Sequence, residues 1–196
     1  MKRALVFSIC LSVVGCLAQQ APMQREDLSA RVTQLSNALA ALKAAPDDRI
    51  SQRRYLDAFP RTYKEYLLLF DYRQPLYDGH AYVVAISSLA GNYEQEVGSL
   101  LVNLSKDAHY DSDAPSYLQD TTCIYAAEHT KTFSELLDKL PAEKQTNLIV
   151  FLADVENHDS YPEYQAAIDH LKAMGKTSLA TKFETARTRR KKQPHD

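Results

Sequence analysis

Apolar residues recur along most of this chain at intervals of three and four, the period of a helix that buries one face. The clearest run lies within 26–44, where Leu28, Val32, Leu35, Leu39 and Leu42 alternate steps of four and three. A helix is predicted over 26–44, and at about two heptads its stripe is shorter than the three or four that a coiled coil needs. The stripe therefore docks the helix onto the rest of the domain; the alternative is a short dimerising stem. Pro46 breaks the pattern and Asp47 supplies a cap, so a helix is predicted over 47–59. Another opens at Pro60 and carries Tyr63, Tyr66, Leu67 and Phe70 at helical spacing. Pro75 and Gly79 mark a turn over 71–79. A long helix is predicted over 80–106, with Gly91 and Gly98 as candidate kinks.

The second half reads the same way. A helix is expected over 113–129, and Thr132-Phe-Ser-Glu135 has the form of a capping box, in which Thr accepts from an unbonded amide and Glu reaches back. Pro141 suits the first turn of a helix over 142–157. Ser160-Tyr-Pro-Glu163 forms a second box for a helix ending at Gly175, and a last helix runs over 177–192. The run NLIVFLAD (147–154) has the length of a buried strand. Leu148, Phe151, Leu152 and Val155 keep helical spacing, however, and no partner strand is evident. With five Gly and no Asn-Gly or Asp-Gly hairpin signal, the expected fold is all-α. It is a single-domain helical bundle or short α-solenoid of about seven to eight helices.

The first sixteen residues follow a different pattern. Met1-Lys2-Arg3 is basic, and the apolar stretch over 4–14 falls short of the roughly 20 residues that span a bilayer. Its length suits a secretory signal. Val13-Val14-Gly15-Cys16 resembles the bacterial lipobox, which runs aliphatic, aliphatic or small, Gly or Ala, then Cys. The resemblance implies a signal peptide over 1–15 and lipidation of Cys16. The rival is an ordinary signal cut before Gln19, with small residues at Cys16 and Ala18. Residues 16–25, with Pro22, would form a lipidated tether, leaving 26–196 as the helical domain. Leu17 stands where an inner-membrane lipoprotein commonly has Asp, so the expected location is the bacterial envelope, lipid-anchored in the outer membrane and facing the periplasm.

Loss of Lys2 and Arg3 with the leader takes the 23 basic residues to 21 against 25 acidic ones. So mild an acidity, without a clustered basic face, argues against a nucleic-acid partner. Cys123 remains as the one cysteine of the domain, which precludes an internal disulfide. There is no HExxH, GxSxG, P-loop or dinucleotide glycine pattern. No catalytic residue and no cofactor is therefore assigned.

Two segments concentrate chemistry. Asp107-Ala-His109-Tyr-Asp111-Ser-Asp113 alternates oxygen ligands like the start of a calcium loop. The sixth and twelfth positions, where an EF-hand needs Gly and Glu, are Ser112 and Leu118. Helix caps and turn residues explain these acids, and no metal is expected. Glu156-Asn-His158-Asp159-Ser-Tyr161 has a similar composition. Tyrosine gives rigid contact area with a polar tip, and most of the twelve are expected half-buried with bonded hydroxyls. The remainder define a candidate face: Tyr110, Asp111, Asp113, Tyr117, His158, Asp159 and Tyr161, meeting a basic protein partner. Arg187-Thr-Arg189-Arg190-Lys191-Lys192 reads as a solvated helix end. The expected function is that of a non-catalytic lipoprotein that binds another macromolecule, most concretely an immunity or inhibitor protein against a secreted toxin or hydrolase. A structural or assembly lipoprotein is the alternative. An enzyme built on His109 or His158 would need a cleft that spacing does not reveal.

Overall fold

The structure is a computed structural model that describes residues 25–110, 113–154 and 162–192. Among the described residues all regular structure is helical. Ten helices follow one another: α1 (Arg25–Ala44), α2 (Arg49–Ala58), α3 (Tyr63–Phe70), α4 (His80–Ser87), α5 (Ala90–Ser105), α6 (Ala114–Glu128), α7 (Thr130–Asp138), α8 (Ala142–Ala153), α9 (Pro162–Ala173) and α10 (Thr177–Lys192). The all-α expectation holds, but the described helices number ten rather than seven or eight. The expected signal peptide and the tether up to residue 24 lie outside the described residues, as does the Ser160 member of the second capping box.

The long helix expected over 80–106 is two helices. Ser87 and Ser88 donate their hydroxyls to the carbonyls of Val84 and Ala85 at 2.9 and 2.8 Å. Such back-bonding gives the chain an alternative to continuing the helix. The second irregularity is at Tyr93 (φ −137°, ψ 43°) and not at a glycine. Gly98 has another purpose: a Cβ there would lie 2.2 Å from the Tyr125 hydroxyl oxygen. It is the notch that lets α6 approach α5.

Three caps differ from expectation. Asp48, not Asp47, caps α2, accepting from the Ser51 amide at 2.9 Å. The chain after Pro60 becomes helical only at Tyr63, where Thr62 and Glu65 form a reciprocal capping box. Thr132 lies inside α7, and its hydroxyl donates to Glu94 instead of capping.

One hydrophobic cluster draws on all ten helices. Its centre is α6, which packs against α4, α5, α7, α8 and α9. Two of the polar groups that α6 buries are bonded within the core: Thr122 and Ser105 share a hydrogen bond of 3.0 Å, and the Gln119 amide donates to the carbonyls of Phe151 and Asp154. The stripe on α1 is used within the chain. Leu35, Leu39 and Leu42 are buried, while Leu28 and Val32 pack half-buried at its upper end.

Candidate functional site

The segment 107–110 leaves α5 and crosses one end of the bundle. Asp107 accepts from Lys144 of α8 at 2.7 Å. The His109 carbonyl accepts from the Tyr63 hydroxyl at 3.2 Å, and its imidazole stands edge-on to the Tyr63 ring, centroids 5.6 Å apart. His109 is exposed and Tyr110 half-buried.

Asp113 occupies the cap position of α6 without capping it. No side-chain bond to the helix amides forms, and its backbone is held at φ 59°. Its carboxylate accepts instead from the Tyr77 hydroxyl. Donating to that carboxylate pushes the Tyr77 phenol up to about 12. Of the expected caps and turn residues, Asp107 lies in the turn after α5 and joins an ion pair, while Asp113 binds a phenol instead of capping. Tyr117, one turn into α6, packs against the core cluster and lies 5.0 Å from the His80 ring.

A cavity of about 350 Å³ opens beside this segment, with His109, Tyr110, Lys144, Asp154 and Arg190 in its wall. Asp154 is 4 % exposed and meets Arg190 at 2.6 Å, although Arg190 belongs to the supposedly solvated tail. Arg187, one turn earlier, lies over the Tyr164 ring at 5.3 Å. The basic end of α10 is therefore partly turned inward. Two of its cations serve packing, because Arg at steps of three returns to one helix face.

Of the sequence-predicted partner residues, Tyr110, Asp113 and Tyr117 are described; Asp111, His158, Asp159 and Tyr161 lie outside the described residues. Tyr110 shares its cavity with Asp154, the last described residue before 155–161. Sequence reasoning missed Lys144, Asp154 and Arg190. One signal was available, a lone acid closing the apolar run that ends at residue 154.

Four tyrosines have the bonded hydroxyls expected of most, but they lie fully buried rather than half-buried. Tyr55, Tyr66, Tyr125 and Tyr164 donate to the carbonyls of Tyr82, Ala114, Glu94 and Phe183 at 2.5 to 2.8 Å. Burial raises all four phenols above their ordinary range.

A second polar cluster has a catalytic look. His129 Nδ1 lies 3.4 Å from one Glu94 oxygen, and the Thr132 hydroxyl donates to the other. A nucleophile needs its proton directed at the base. Here the hydroxyl proton goes to the carboxylate and the imidazole stacks on Tyr125 with centroids 4.9 Å apart. The geometry is that of a helix-junction brace.

Among the described residues no three His, Cys, Asp or Glu side chains are grouped to hold a metal ion, and no helix is long and apolar enough to cross a membrane. No family profile, curated protein or solved structure matches the chain.

Proposed function

We propose that this chain is a non-catalytic lipoprotein of the bacterial envelope that binds another protein, most concretely as the immunity or inhibitor partner of a secreted toxin or hydrolase. The observation that carries the binding reading is the surface formed by 107–110 and 113–117. Charged groups there are spent on one another, Asp107 on Lys144 and Asp154 on Arg190, while His109 and Tyr110 flank an open cavity. Neutralised ions beside exposed or half-exposed rings suit a protein contact. Anchoring is supported by Val13-Val14-Gly15-Cys16 and rests on Cys16 as the acylated residue. An outer-membrane anchor facing the periplasm would place the binding surface where a secreted protein meets the cell.

A growth competition tests the function. A strain lacking the gene should be killed or outgrown by its parent in mixed culture and rescued by the wild-type gene. Equal growth of the two strains in mixed culture would overturn the immunity reading. Anchoring has its own test: palmitate labelling and membrane retention should both be lost in Cys16→Ser, and labelling that persists would rule out the lipobox.

A further inference from the structure

Six of the sixteen residues of α10 are basic, and its one acid is Glu184. Part of that charge is used inside the fold, Arg190 on Asp154 and Arg187 over the Tyr164 ring. Lys182 and Arg189 are exposed, and among the described residues no carboxylate pairs with either. Lys182 donates to the neutral amide oxygen of Gln145, which leaves its charge uncancelled. The acids of the two neighbouring helices are engaged elsewhere. Glu184 accepts from Lys172 at 2.6 Å, and Glu143, in the first turn of α8, supports the charge on Lys144.

Helices α8 and α10 pack side by side and run the same way, with Gln145 against Lys182 toward one end and Asp154 against Arg190 past the other. Between them opens a cavity of about 240 Å³. Its floor is apolar, made by the buried Ile149 and Ala186 and the half-buried Val150. Exposed threonines form the rim. The hydroxyls of Thr146 and Thr181 donate back to the carbonyls of Ala142 and Thr177 at 2.9 Å, so their protons are spent within their own helices. The wall holds two charged groups, Lys182 and Arg189, and both are positive. Seven positions apart on α10, they share nearly one helix face and stand about 10 Å apart along its axis. Val150 also lines the cavity flanked by His109 and Tyr110, where Asp107 and Asp154 are both paired, so the two recesses share a wall.

From this geometry we infer that the groove between α8 and α10 receives a segment of the partner protein in which two carboxylates flank an apolar side chain. Lys182 and Arg189 take the carboxylates at the two ends, and Ile149, Val150 and Ala186 take the apolar group between them. Charge sets the sign of the occupant, because the wall has cations and no acid. The floor sets its middle, since a polar group lowered onto it would lose water and find no partner. The arginine fork matches a carboxylate with two parallel hydrogen bonds, while the lysine adapts on its flexible stem. A flat anionic bilayer would meet the cations but leave the recessed floor unfilled, which favours a protruding side chain. The inference deepens the binding reading and rests on it. It makes the partner acidic at this contact, opposite in sign to the contact expected from the acidic loops.

The test is to pan a random peptide library displayed on phage against the full chain. Enriched peptides should carry Asp or Glu on both sides of an apolar residue. Synthetic copies should bind at least tenfold more weakly to Lys182→Ala and to Arg189→Ala, two exposed positions whose replacement should leave the circular dichroism unchanged. Arg189→Glu should instead prefer copies in which the acid at one end is replaced by Lys. Thr185→Phe plugs the groove from its exposed rim with both charges intact, and should lose binding to the same degree. Undiminished binding to Thr185→Phe would show that surface charge alone acts, and overturns the inference. Enriched peptides without acids, or equal binding to both alanine variants, overturn it as well. So does a library yielding no enrichment; retention on phosphatidylglycerol vesicles that is lost in Arg189→Ala would then give the cations to a lipid surface. In the growth competition Thr185→Phe should protect poorly. Full protection by that variant, with the gene still required, would sink the groove and leave the immunity reading standing.

Discussion

Gly98→Ala sets helix propensity directly against packing. Propensity alone favours the change, since Ala exceeds Gly by about 0.8–1.0 kcal/mol inside a helix. The new methyl, however, would stand 2.2 Å from the Tyr125 hydroxyl oxygen, 2.6 Å from its Cζ and 2.9 Å from Leu136 Cδ1. All three are far inside contact distance, and the hydroxyl is fixed by donating to Glu94 at 2.8 Å. Overpacking of this kind costs about 1–3 kcal/mol. A ring that swings aside also gives up that bond, for roughly another 1 kcal/mol. The balance is a net loss of about 1–3 kcal/mol, or some 3–10 °C in Tm for a chain of this size. Urea unfolding followed by circular dichroism would measure it. Adding Tyr125→Phe removes the nearest atom, so the double variant should lose at least about 0.5 kcal/mol less than the sum of the singles. Gly98→Ala as stable as wild type, with strictly additive doubles, would show that the two helices are not in this contact.

Arg190→Ala takes the cation away from the buried carboxylate of Asp154 and should cost about 1–3 kcal/mol, more than Asp154→Asn, which leaves a cation that is 32 % exposed and able to rehydrate; equal losses in urea melts would refute the asymmetry. The Tyr77 phenol, raised to about 12 by its bond to Asp113, favours the protonated folded state. Its contribution is therefore present below the ordinary tyrosine value near 10 and lost as pH rises through about 12. In ¹³C-tyrosine NMR the Tyr77 ring should titrate late, as the four buried phenols do, and it alone should move toward the ordinary range in Asp113→Asn; no such shift would exclude the bond. Addition of Ca²⁺ or Zn²⁺ should leave Tm unchanged, where a site at 100-fold saturation would add about 2.7 kcal/mol. A saturable rise lost in Asp107→Ala would reveal a metal site.

Helical periodicity was legible because one stripe per helix suffices to bury it: Leu28 to Leu42, Tyr63 to Phe70 and Leu148 to Leu152 all face the core as their spacing predicts. Boundaries were less legible where two local devices compete. Thr132-Glu135 has the letters of a capping box, but tertiary contact with Glu94 claims the hydroxyl, while the working box at Thr62-Glu65 sits two residues past the proline that seemed to begin the helix. The candidate site was hardest, since it depends on which residues meet. Nothing in local spacing brings Asp154 to Arg190, 36 positions away, or Tyr77 to Asp113. Nor does spacing announce that α8 and α10 lie side by side and share a groove.

The placement of α6 gives the chain a clock of its own. Cys123 lies near the middle of that helix, 1 % exposed and in no disulfide, and the helices α4, α5, α7, α8 and α9 enclose the one that carries it. A thiol reagent reaches its sulfur only when one of those walls has moved away. Labelling in mild urea thus times the departure of a wall: modification well ahead of the loss of helical signal means that one layer peels off as a unit, and modification in step with that signal means that the ten helices part together.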